Sequence, residues 1–451
     1  MTTDIARLAY AVRKTPNTKC SSLMGMVWRE EGLRDSFRRL PGNKARGVDG
    51  ISKDDYSHNL SVRVNDLSMR LRDQAYAPQP SRRVYIPKMD GGRRPLGIPA
   101  FESRIVEDRM SQILQAIWEP EFKECSYGFR PHRGALDAIS ELARVITKEP
   151  IRYIAEADIK GFFNNVDHEW LMKFLGHRIS DKGFLRLIKR FLKAGVIEDG
   201  AVYASEEGTP QGGLISPVLA NIYLHYVLDM WFVHQVRAKC RGKSFLVRYA
   251  DDFVVCFENR GDAEAFMQWL PERLKKFGLE TEPSKTKMIR FGLWAEKDNK
   301  AEGKANDTFS FLGFTHYLGR SRKGYFLVGH KTESKRTRKK LKEVGIKLKA
   351  MRTSGGAIMY KYARQHLQGH INYFGISGNF KAIDSYREKL SRILFKWINR
   401  RSQRHSITWE RFSPLLNAGL LPHPRIVHDL YTHLYGKRCR NVSNQSGSRM
   451  V

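Results

Sequence analysis

The chain has 451 residues, of which 41% are hydrophobic, so it is long enough to bury sizeable cores in two or three domains. Its net charge of +32 indicates a partner that is anionic over a long surface, and nucleic acid is the first candidate. No apolar run reaches the roughly 18–20 residues that span a bilayer, and neither an export signal nor a CxxC pair is present, which disfavours membrane proteins, secreted proteins and zinc modules.

The first half of the chain shows loops, a hairpin, a helix and a strand in succession. PGNKARGVDGISKDDY, from Pro41, and PKMDGGRRPLGIP, from Pro87, predict loops around a basic hairpin, because RRVYI precedes the second and GG marks its turn. FESRIVEDRMSQILQAIWEPEF, from Phe101, has apolar residues at helical spacing and predicts a helix. IRYIAEADI, from Ile151, predicts a strand that ends at Asp158.

The second half predicts a second acidic strand segment and then basic helices. GLISPVLANIYLHYVLDMWFV, from Gly213, predicts a long buried helix, and FLVRYADDFVVCF, from Phe245, predicts a β-hairpin whose tight turn is ADD. RGDAEAFMQWLPERLKKFGLE, from Arg260, predicts an amphipathic helix. After Phe314 the pattern predicts long basic helices, and the segment from Lys331 to Val451 holds 26 lysines and arginines against 6 acidic residues. The fold class is therefore α+β, with an all-helical basic domain last.

Acidic residues occur where two predicted strands end or turn. Asp158 ends one strand, and Asp251 and Asp252 lie in the turn of the hairpin. Mg²⁺ uses one or two protein carboxylates and leaves its other positions to phosphate and water, and two such ions support in-line phosphoryl transfer. The alternative is that Asp251 and Asp252 only form a turn. Their occurrence with Asp158 and a large positive charge favours a nucleic-acid polymerase or a nuclease.

A family resemblance extends this interpretation. YADD, from Tyr249 to Asp252, resembles the YxDD signature of reverse transcriptases in its strand–turn–strand context. Further blocks are similar, in order, to those of group II intron-encoded proteins over about residues 40 to 320: RRVYIPKMDGGRRPLGIP, SYGFRPHRGALDAI from Ser126, ADIKGFFNNVDHEWL from Ala157, GTPQGGLISPVLANIYLHYVLD from Gly208, GLETEPSKTKMI from Gly278 and FSFLGFTHY from Phe309. A two-metal nuclease would explain the carboxylates but not the PQGG and PLGIP blocks.

The resemblance implies a catalytic metal site. Asp158, Asp251 and Asp252 match the metal-binding aspartates, and the backbone carbonyl of Ile159 is implied as a further ligand. Phe163 matches the aromatic gate that excludes ribonucleotides, and the alternative for it is an ordinary core phenylalanine. The implied cofactor is Mg²⁺, two ions, with Mn²⁺ as a substitute.

The resemblance also implies substrate contacts. Lys88 and Arg94 match residues that grip the triphosphate of the incoming nucleotide, and Gln211 matches a residue that lines the nucleotide pocket. Tyr249 matches a residue beneath the primer end, and Lys285 matches a lysine proposed to protonate the pyrophosphate leaving group. For the basic residues, a solvated surface position is the alternative.

The basic tail resembles an RNA-binding region. LQGHINYFGISGN, from Leu367, and LSRILFKWINRRSQRHSITWERF, from Leu390, resemble the thumb or X region with which group II intron proteins bind their intron RNA. The candidate RNA-binding residues are Lys335, Arg336, Arg338, Lys339, Lys340, Trp397, Arg400 and Arg401. A solvated helical face is the alternative for any one of them.

Together these features predict a right-hand polymerase. The expected domains are an N-terminal extension and fingers (1–135), a palm with remaining fingers elements (136–325), a helical thumb or X domain (326–440) and a disordered tail (441–451). Because no paired cysteines follow Tyr435, we expect an endonuclease-lacking bacterial type, located in the cytoplasm.

The expected function is RNA-directed DNA synthesis from a primer 3′-OH, with intron-RNA binding that assists splicing and mobility. The expected partners are group II intron RNA, an RNA template, a DNA primer, dNTPs and a DNA target, with no membrane, for a monomer or homodimer. Two alternatives stay open: a domesticated stand-alone bacterial reverse transcriptase for defence or repair, and an RNA-binding splicing factor with an inactive polymerase.

Overall fold

The computed structural model describes residues 3–16, 18–87, 92–198, 200–203, 207–209, 212–321, 323–401 and 407–431. It confirms the α+β class, because helices and three sheets alternate along the chain. The chain divides into two compact units. Unit 1 comprises Met1–Ala138 and Tyr153–Ile289, and unit 2 comprises Ile139–Arg152 and Arg290–Val451.

The regular elements follow one another as follows. The helices are α1 (Thr3–Lys14), α2 (Met24–Trp28), α3 (Glu30–Arg39), α4 (Lys53–Ser57), α5 (Leu60–Arg72), α6 (Phe101–Trp118), α7 (Ala135–Lys148), α8 (His168–Gly176), α9 (Lys182–Lys193), α10 (Ser216–Leu224), α11 (Arg237–Lys239), α12 (Arg260–Lys275), α13 (Leu293–Ala301), α14 (Ser334–Ala350), α15 (Gly356–Phe374), α16 (Phe380–Asn399) and α17 (Trp409–Asn417). The strands are β1 (Ser81–Pro87), β2 (Arg93–Ile98), β3 (Tyr153–Ala157), β4 (Val196–Glu198), β5 (Ala201–Tyr203), β6 (Ser244–Tyr249), β7 (Asp252–Phe257), β8 (Lys287–Arg290), β9 (Phe309–Phe311), β10 (Phe314–Arg320) and β11 (Phe326–Thr332).

Unit 1 contains the sheet that carries the predicted aspartates. Its strand order is β6-β7-β3-β8, and β7 pairs antiparallel with both β6 and β3. Valine, phenylalanine and tyrosine dominate β6 and β7, as expected for strands that pack on a core. Because Ala157 pairs with Phe253 on β7, Asp158 leaves β3 beside Asp252. The predicted strand, hairpin and adjacent carboxylates are therefore confirmed.

The predicted basic hairpin and the helix after it are also confirmed. β1 and β2 pair antiparallel and belong to a second sheet of order β2-β1-β4-β5. Helix α6 follows, and 14 of its 18 residues are buried, so it forms a central element of the unit 1 core. This helix lies in the core on nearly all sides, although its first turns also carry charged residues.

The predicted long helix after Gly213 is present but is not regular throughout. It runs as α10, then π-helical from His225 to Asp229 and from Phe232 to Val236, and ends in α11. Arg273 of α12 donates to the carbonyl oxygens of Tyr226 and Val227, each at 3.0 Å, and so supplies extra donors to the first π-helical segment. π-Helical turns change the direction of the side chains that follow them, often at functional sites.

Unit 2 contains a three-stranded sheet of order β11-β10-β9 and the helices from α13 onwards. Its sheet buries a cross-strand pair of histidines, His316 and His330, whose ring centroids are 4.9 Å apart. Burial lowers the pKa of His316 to about 4, so both rings belong to the core and do not form a charged surface.

Two sequence predictions were wrong in detail. The region after residue 326 is not all-helical, because Phe326–Thr332 forms β11 with Phe326, Val328, His330 and Thr332 buried in alternation. The turn of the hairpin is Ala250–Asp251, since Asp252 pairs with Tyr249 and begins β7. None of the helices in the described ranges is both long and apolar enough to cross a membrane.

A buried ion pair holds the hairpin in place. The guanidinium of Arg248 donates to both carboxylate oxygens of Asp229, at 2.7 and 2.5 Å, and both side chains are fully buried. Its remaining donors bond to the Asn221 side chain (3.1 Å), the Ser126 hydroxyl (2.7 Å) and the Ala250 carbonyl (2.9 Å). All five N–H groups of the guanidinium therefore have acceptors, one of them in the hairpin turn itself.

We expect Arg248→Met to lower the free energy of unfolding by roughly 3–5 kcal/mol, because it leaves the Asp229 carboxylate buried without a counter-charge. Denaturant titration followed by circular dichroism measures the change. Arg237→Met, at an exposed arginine of α11, is the matched control. The double variant Arg248→Met with Asp229→Leu should recover part of the loss, and a loss below about 1 kcal/mol in the single variant would contradict the role of the pair.

Candidate active site

The turn between β6 and β7 is tight and closely packed. Ala250, its first residue, has φ +56°, a conformation that usually requires glycine. Gly128 approaches from the preceding loop, and a Cβ atom at Gly128 would lie only 2.4 Å from the Ala250 nitrogen. The side chain of Asn221 donates to the Gly128 carbonyl at 2.6 Å. Any larger residue at position 128 would therefore displace the acidic turn.

The three aspartates lie together at one end of the sheet. Asp158 leaves β3 beside Asp252, and Asp251 occupies the turn. The Asp158 carboxylate accepts a hydrogen bond from the Lys285 ammonium at 2.5 Å. This bond and the charge of Asp158 raise the pKa of Lys285, so the lysine retains its proton at neutral pH.

The electrostatics of the site are those of crowded negative charge. Burial raises the pKa of Asp251 above its usual value, and the nearby charge of Asp158 raises it further. The positive charges of Arg94 and Arg248 act in the opposite direction. A cation at this position would therefore relieve repulsion that the described side chains only partly compensate.

The residues present fit a divalent cation. Their donors are hard carboxylate oxygens, and the ammonium of Lys285 already places one positive charge on Asp158. Within the described ranges, no three histidine, cysteine, aspartate or glutamate side chains converge as a ready-made metal cage. That finding is compatible with Mg²⁺, which takes few protein carboxylates and completes its shell with substrate phosphate and water.

Ile159 forms an isolated antiparallel bridge with Thr281, and the bonds that flank the bridge use Lys160 and Glu282 as donors. In such a non-hydrogen-bonded pair, the polar groups of the central residue point away from its partner. In the described part of the chain no hydrogen bond uses the Ile159 carbonyl. The Ile159 carbonyl is therefore available as a metal ligand, next to the side chain of Asp158.

The two phenylalanines after Asp158 differ in burial. Phe162 is buried in the unit 1 core, whereas Phe163 is only partly buried and contacts Phe162 with ring centroids 5.3 Å apart. The Phe163 carbonyl accepts the Thr209 N–H at 2.7 Å. Of the two rings, Phe163 is thus the one free to face a ligand.

The predicted substrate contacts are only partly described. Arg94 is exposed on β2, and its charge acts on Asp251. Tyr249 is partly buried, and its ring centroid lies 6.5 Å from that of Phe129. Lys88 and Gln211 lie outside the described residues.

Comparison with known proteins identifies the family. A family model for reverse transcriptases (RNA-dependent DNA polymerases) matches residues 86–316. Protein YkfC of Escherichia coli strain K12 is 34% identical over 357 residues, which cover 71% of this chain and 90% of that protein. The chain belongs to the reverse transcriptase family. It is accordingly an RNA-directed DNA polymerase, and the matched region contains all three aspartates.

Other relatives are proteins of group II introns. The group II intron-encoded protein LtrA of Lactococcus lactis is 39% identical over 210 residues, which cover 46% of this chain and 34% of LtrA. A putative COX1/OXI3 intron 2 protein of Saccharomyces cerevisiae is 32% identical over 212 residues, 47% of this chain and 24% of that protein. This reverse transcriptase is therefore of the group II intron type, and its matches to the intron proteins span less than two thirds of their length.

The predicted RNA-binding residues of the reverse transcriptase separate into two groups. Lys335 and Arg338 are exposed on α14, whereas the guanidinium of Arg336 packs so closely on Gly313 that a side chain there would overlap it. Lys339 is partly buried, and Lys340 pairs with Glu343 at 3.2 Å.

A second basic group surrounds an aromatic ring at the end of α16. The cationic groups of Lys349, Lys396 and Arg400 lie 5.5 to 6.0 Å from the ring centroid of Trp397. Arg400 and Arg401 are exposed. Trp397 and Arg400 of the predicted set therefore form one cluster with Lys349 and Lys396.

Sequence analysis missed the residues that support the site from beneath. Arg248 and Asp229 were considered only as parts of a strand and a helix, and Gly128 only as part of the SYGFRPHRGALDAI block. A signal was available: each charged residue interrupts an otherwise apolar segment, and such a residue is normally buried only with a partner.

We expect Asp158→Asn to lower the pKa of the Lys285 ammonium towards its ordinary value, because Asp158 provides both the hydrogen bond and the largest charge effect that raise it. An NMR pH titration of the Lys285 Cε and Nζ signals measures the change. Asp252→Asn is the matched control, and its effect should be smaller because Asp252 contributes least among the acidic neighbours. Equal decreases in the two variants would contradict the assigned pairing.

Proposed function

We propose that this reverse transcriptase extends a primer 3′-OH with dNTPs on an RNA template, using two Mg²⁺ ions held by Asp158, Asp251 and Asp252. The observation that supports the proposal is the position of Asp158 at the end of β3, beside Asp252 and the β6–β7 turn that holds Asp251, together with a protonated lysine bonded to Asp158. In this proposal residues 1–135 supply the fingers, residues 136–325 supply the palm, and residues 326–440 supply the thumb of a right-hand polymerase.

The carboxylates and the Ile159 carbonyl would hold the metal ions. When bound, Mg²⁺ promotes deprotonation of the primer hydroxyl and stabilises the charge that develops on the phosphates. Arg248 bonds to the carbonyl of the buried Ala250 and so restrains the turn that holds Asp251. In this proposal the turn is therefore in position before substrate binds.

Lys285 and Arg94 would act on the triphosphate. Lys285 would donate a proton to the departing pyrophosphate oxygen, and its hydrogen bond to Asp158, which keeps the ammonium protonated, supports this role. The exposed guanidinium of Arg94 can form a forked pair with phosphate oxygens. Lys88 and Gln211 keep their proposed roles in triphosphate and nucleotide binding.

The Phe163 ring would exclude ribonucleotides. It is partly exposed, whereas the neighbouring Phe162 is buried in the core. A bulky ring beneath the sugar leaves no room for a 2′-hydroxyl. Tyr249, one residue before the turn, would support the primer end.

We expect Asp251→Asn combined with Asp252→Asn to reduce primer extension on an RNA template by at least about 10³-fold, the scale of losing a preorganised electrostatic element. The assay contains dNTPs and Mg²⁺ and measures cDNA length and yield. Asp54→Asn, at an exposed aspartate of α4, is the control. Extension by the double variant at a rate close to that of the wild type would refute the proposed metal site.

We further propose that the basic surface of unit 2 binds group II intron RNA and so assists splicing and mobility. The observation that favours this role is the concentration of charge, 26 basic against 6 acidic residues from Lys331 onwards, together with the Trp397 cluster. A domesticated enzyme without an intron would retain the polymerase but not this selectivity. The three aspartates argue against a splicing factor with an inactive polymerase.

We expect Lys335→Gln combined with Arg338→Gln to weaken binding of structured RNA and to reduce the slope of log Kd against log salt by about 1–2, because two phosphate contacts are lost. Filter binding at salt concentrations from about 50 to about 300 mM measures both the Kd and the slope. Lys275→Gln combined with Lys276→Gln makes the same charge change on exposed residues of unit 1. Equal effects of the two double variants would show a response to net charge alone.

A further inference from the structure

Hydrogen bonds hold Gly208 and Thr209, the first two residues of the GTPQGG segment. The Gly208 N–H donates to the Val166 carbonyl at 2.8 Å, and the Thr209 N–H donates to the Phe163 carbonyl at 2.7 Å. The Nε2 atom of the buried His168 lies 2.6 Å from the Gly208 carbonyl oxygen. These bonds connect the loop to the segment that follows Asp158 and carries the proposed gate.

The same loop has a separate attachment on its C-terminal side. Gly212 has φ +117°, and a Cβ atom there would lie 2.2 Å from the Gly97 carbonyl oxygen of β2. Two residues later, the Leu214 N–H donates to a carboxylate oxygen of Glu107 at 2.5 Å. A Cβ atom at Gly213 would lie 3.2 Å from both Glu107 oxygens. The carboxylate therefore fixes the short segment between the contact with β2 and the start of α10.

Glu107 is an unusual residue for this position. It belongs to α6, and its exposed fraction is only 4%. Burial raises its pKa to about 7, whereas the Leu214 N–H and the charge of Arg104 lower it. Burial of a carboxylate costs free energy unless the carboxylate accepts hydrogen bonds. Here it accepts a hydrogen bond from the Leu214 N–H of the loop.

The charged and titratable groups around Glu107 come from several elements. Arg104 lies one helical turn earlier on α6 and is itself influenced by Asp49 and Arg82. The negative charge of Glu107 contributes to the raised pKa of Tyr76, which follows α5. The pKa of Glu107, about 7, lies within the pH range of the experiment described below.

We propose that Glu107 is a positioning residue for the incoming nucleotide: its carboxylate fixes the Gly212–Leu214 segment against β2, the strand that carries Arg94. This inference rests on the proposed polymerase site, because it assigns binding of the dNTP triphosphate to Arg94. Glu107 acts through Leu214 and does not contact the substrate. Loss of the carboxylate should therefore affect dNTP binding more than the chemical step.

Single-nucleotide incorporation at varied dNTP concentration tests the proposal with three variants. Glu107→Ala should raise the KM for dNTP by about 10-fold, the effect of losing one hydrogen bond to a charged group, and should change kcat by less than about 3-fold. Glu107→Gln retains an oxygen acceptor, so its KM at pH 8 should stay within about 3-fold of the wild type. Glu272→Ala, at an exposed glutamate of α12, is the control and should leave both constants unchanged.

The pH profile separates positioning from a structural role. As the pH falls from 8 to 6, Glu107 becomes protonated and its bond to the Leu214 N–H weakens, so the KM of the wild type should rise more than that of Glu107→Gln. The comparison at each pH removes the titration of dNTP itself. If Glu107→Ala does not fold, the difference between the wild type and Glu107→Gln decides the question alone.

The outcomes distinguish the inference from the function on which it rests. If the wild type does not extend a primer, the proposed function fails and the inference fails with it. If the wild type is active but Glu107→Ala leaves the KM for dNTP unchanged, only the inference is overturned. The same holds if the pH profiles of the wild type and Glu107→Gln coincide.

Discussion

The buried pair of Arg248 and Asp229 is the interaction on which the position of the acidic turn depends. A charged pair without access to water is costly unless every donor finds an acceptor. Here the guanidinium uses all five N–H groups, on Asp229, Asn221, Ser126 and the Ala250 carbonyl. The pair therefore links the long helix, the loop before Gly128 and the β6–β7 hairpin, and it restrains the turn that holds Asp251.

The protein as a whole and its candidate active site carry charge of opposite sign. The chain as a whole is strongly positive, which attracts nucleic acid, whereas the end of the central sheet concentrates carboxylates. Lys285 compensates only part of this negative charge, through Asp158. A polymerase needs this opposition, because the surface must hold the phosphate backbone while the site must prefer divalent cations.

Much of the fold could be predicted from the sequence because its signals are local. The alternation in IRYIAEADI and FLVRYADDFVVCF and the helical spacing after Phe101 each depend on neighbouring residues, and each prediction is confirmed. The proximity of Asp158 to the hairpin could be predicted from the ordered sequence blocks, because their resemblance to a known family implies that the three aspartates share one site.

What could not be predicted depends on contacts between distant residues. Asp229 lies at the end of a π-helical segment and pairs with Arg248 on β6, and no local pattern reveals either the segment or the pair. Strand β11 was missed because it is followed directly by the basic residues of α14, and the basic pattern assigns its end, Lys331 and Thr332, to that helix. Glu107 gave no sequence signal, because its partner is a backbone N–H more than 100 positions away.

The division of the chain has a consequence for synthesis on the ribosome. Unit 2 takes Ile139–Arg152 from the middle of unit 1, and Ile139, Leu142 and Ile146 are buried there. The remainder of unit 2 begins only at Arg290, which at typical rates of translation emerges roughly 10–30 s later. During that interval the segment lacks the rest of unit 2, so we expect unit 2 to complete its core only after Arg290 and the residues that follow it have been synthesised.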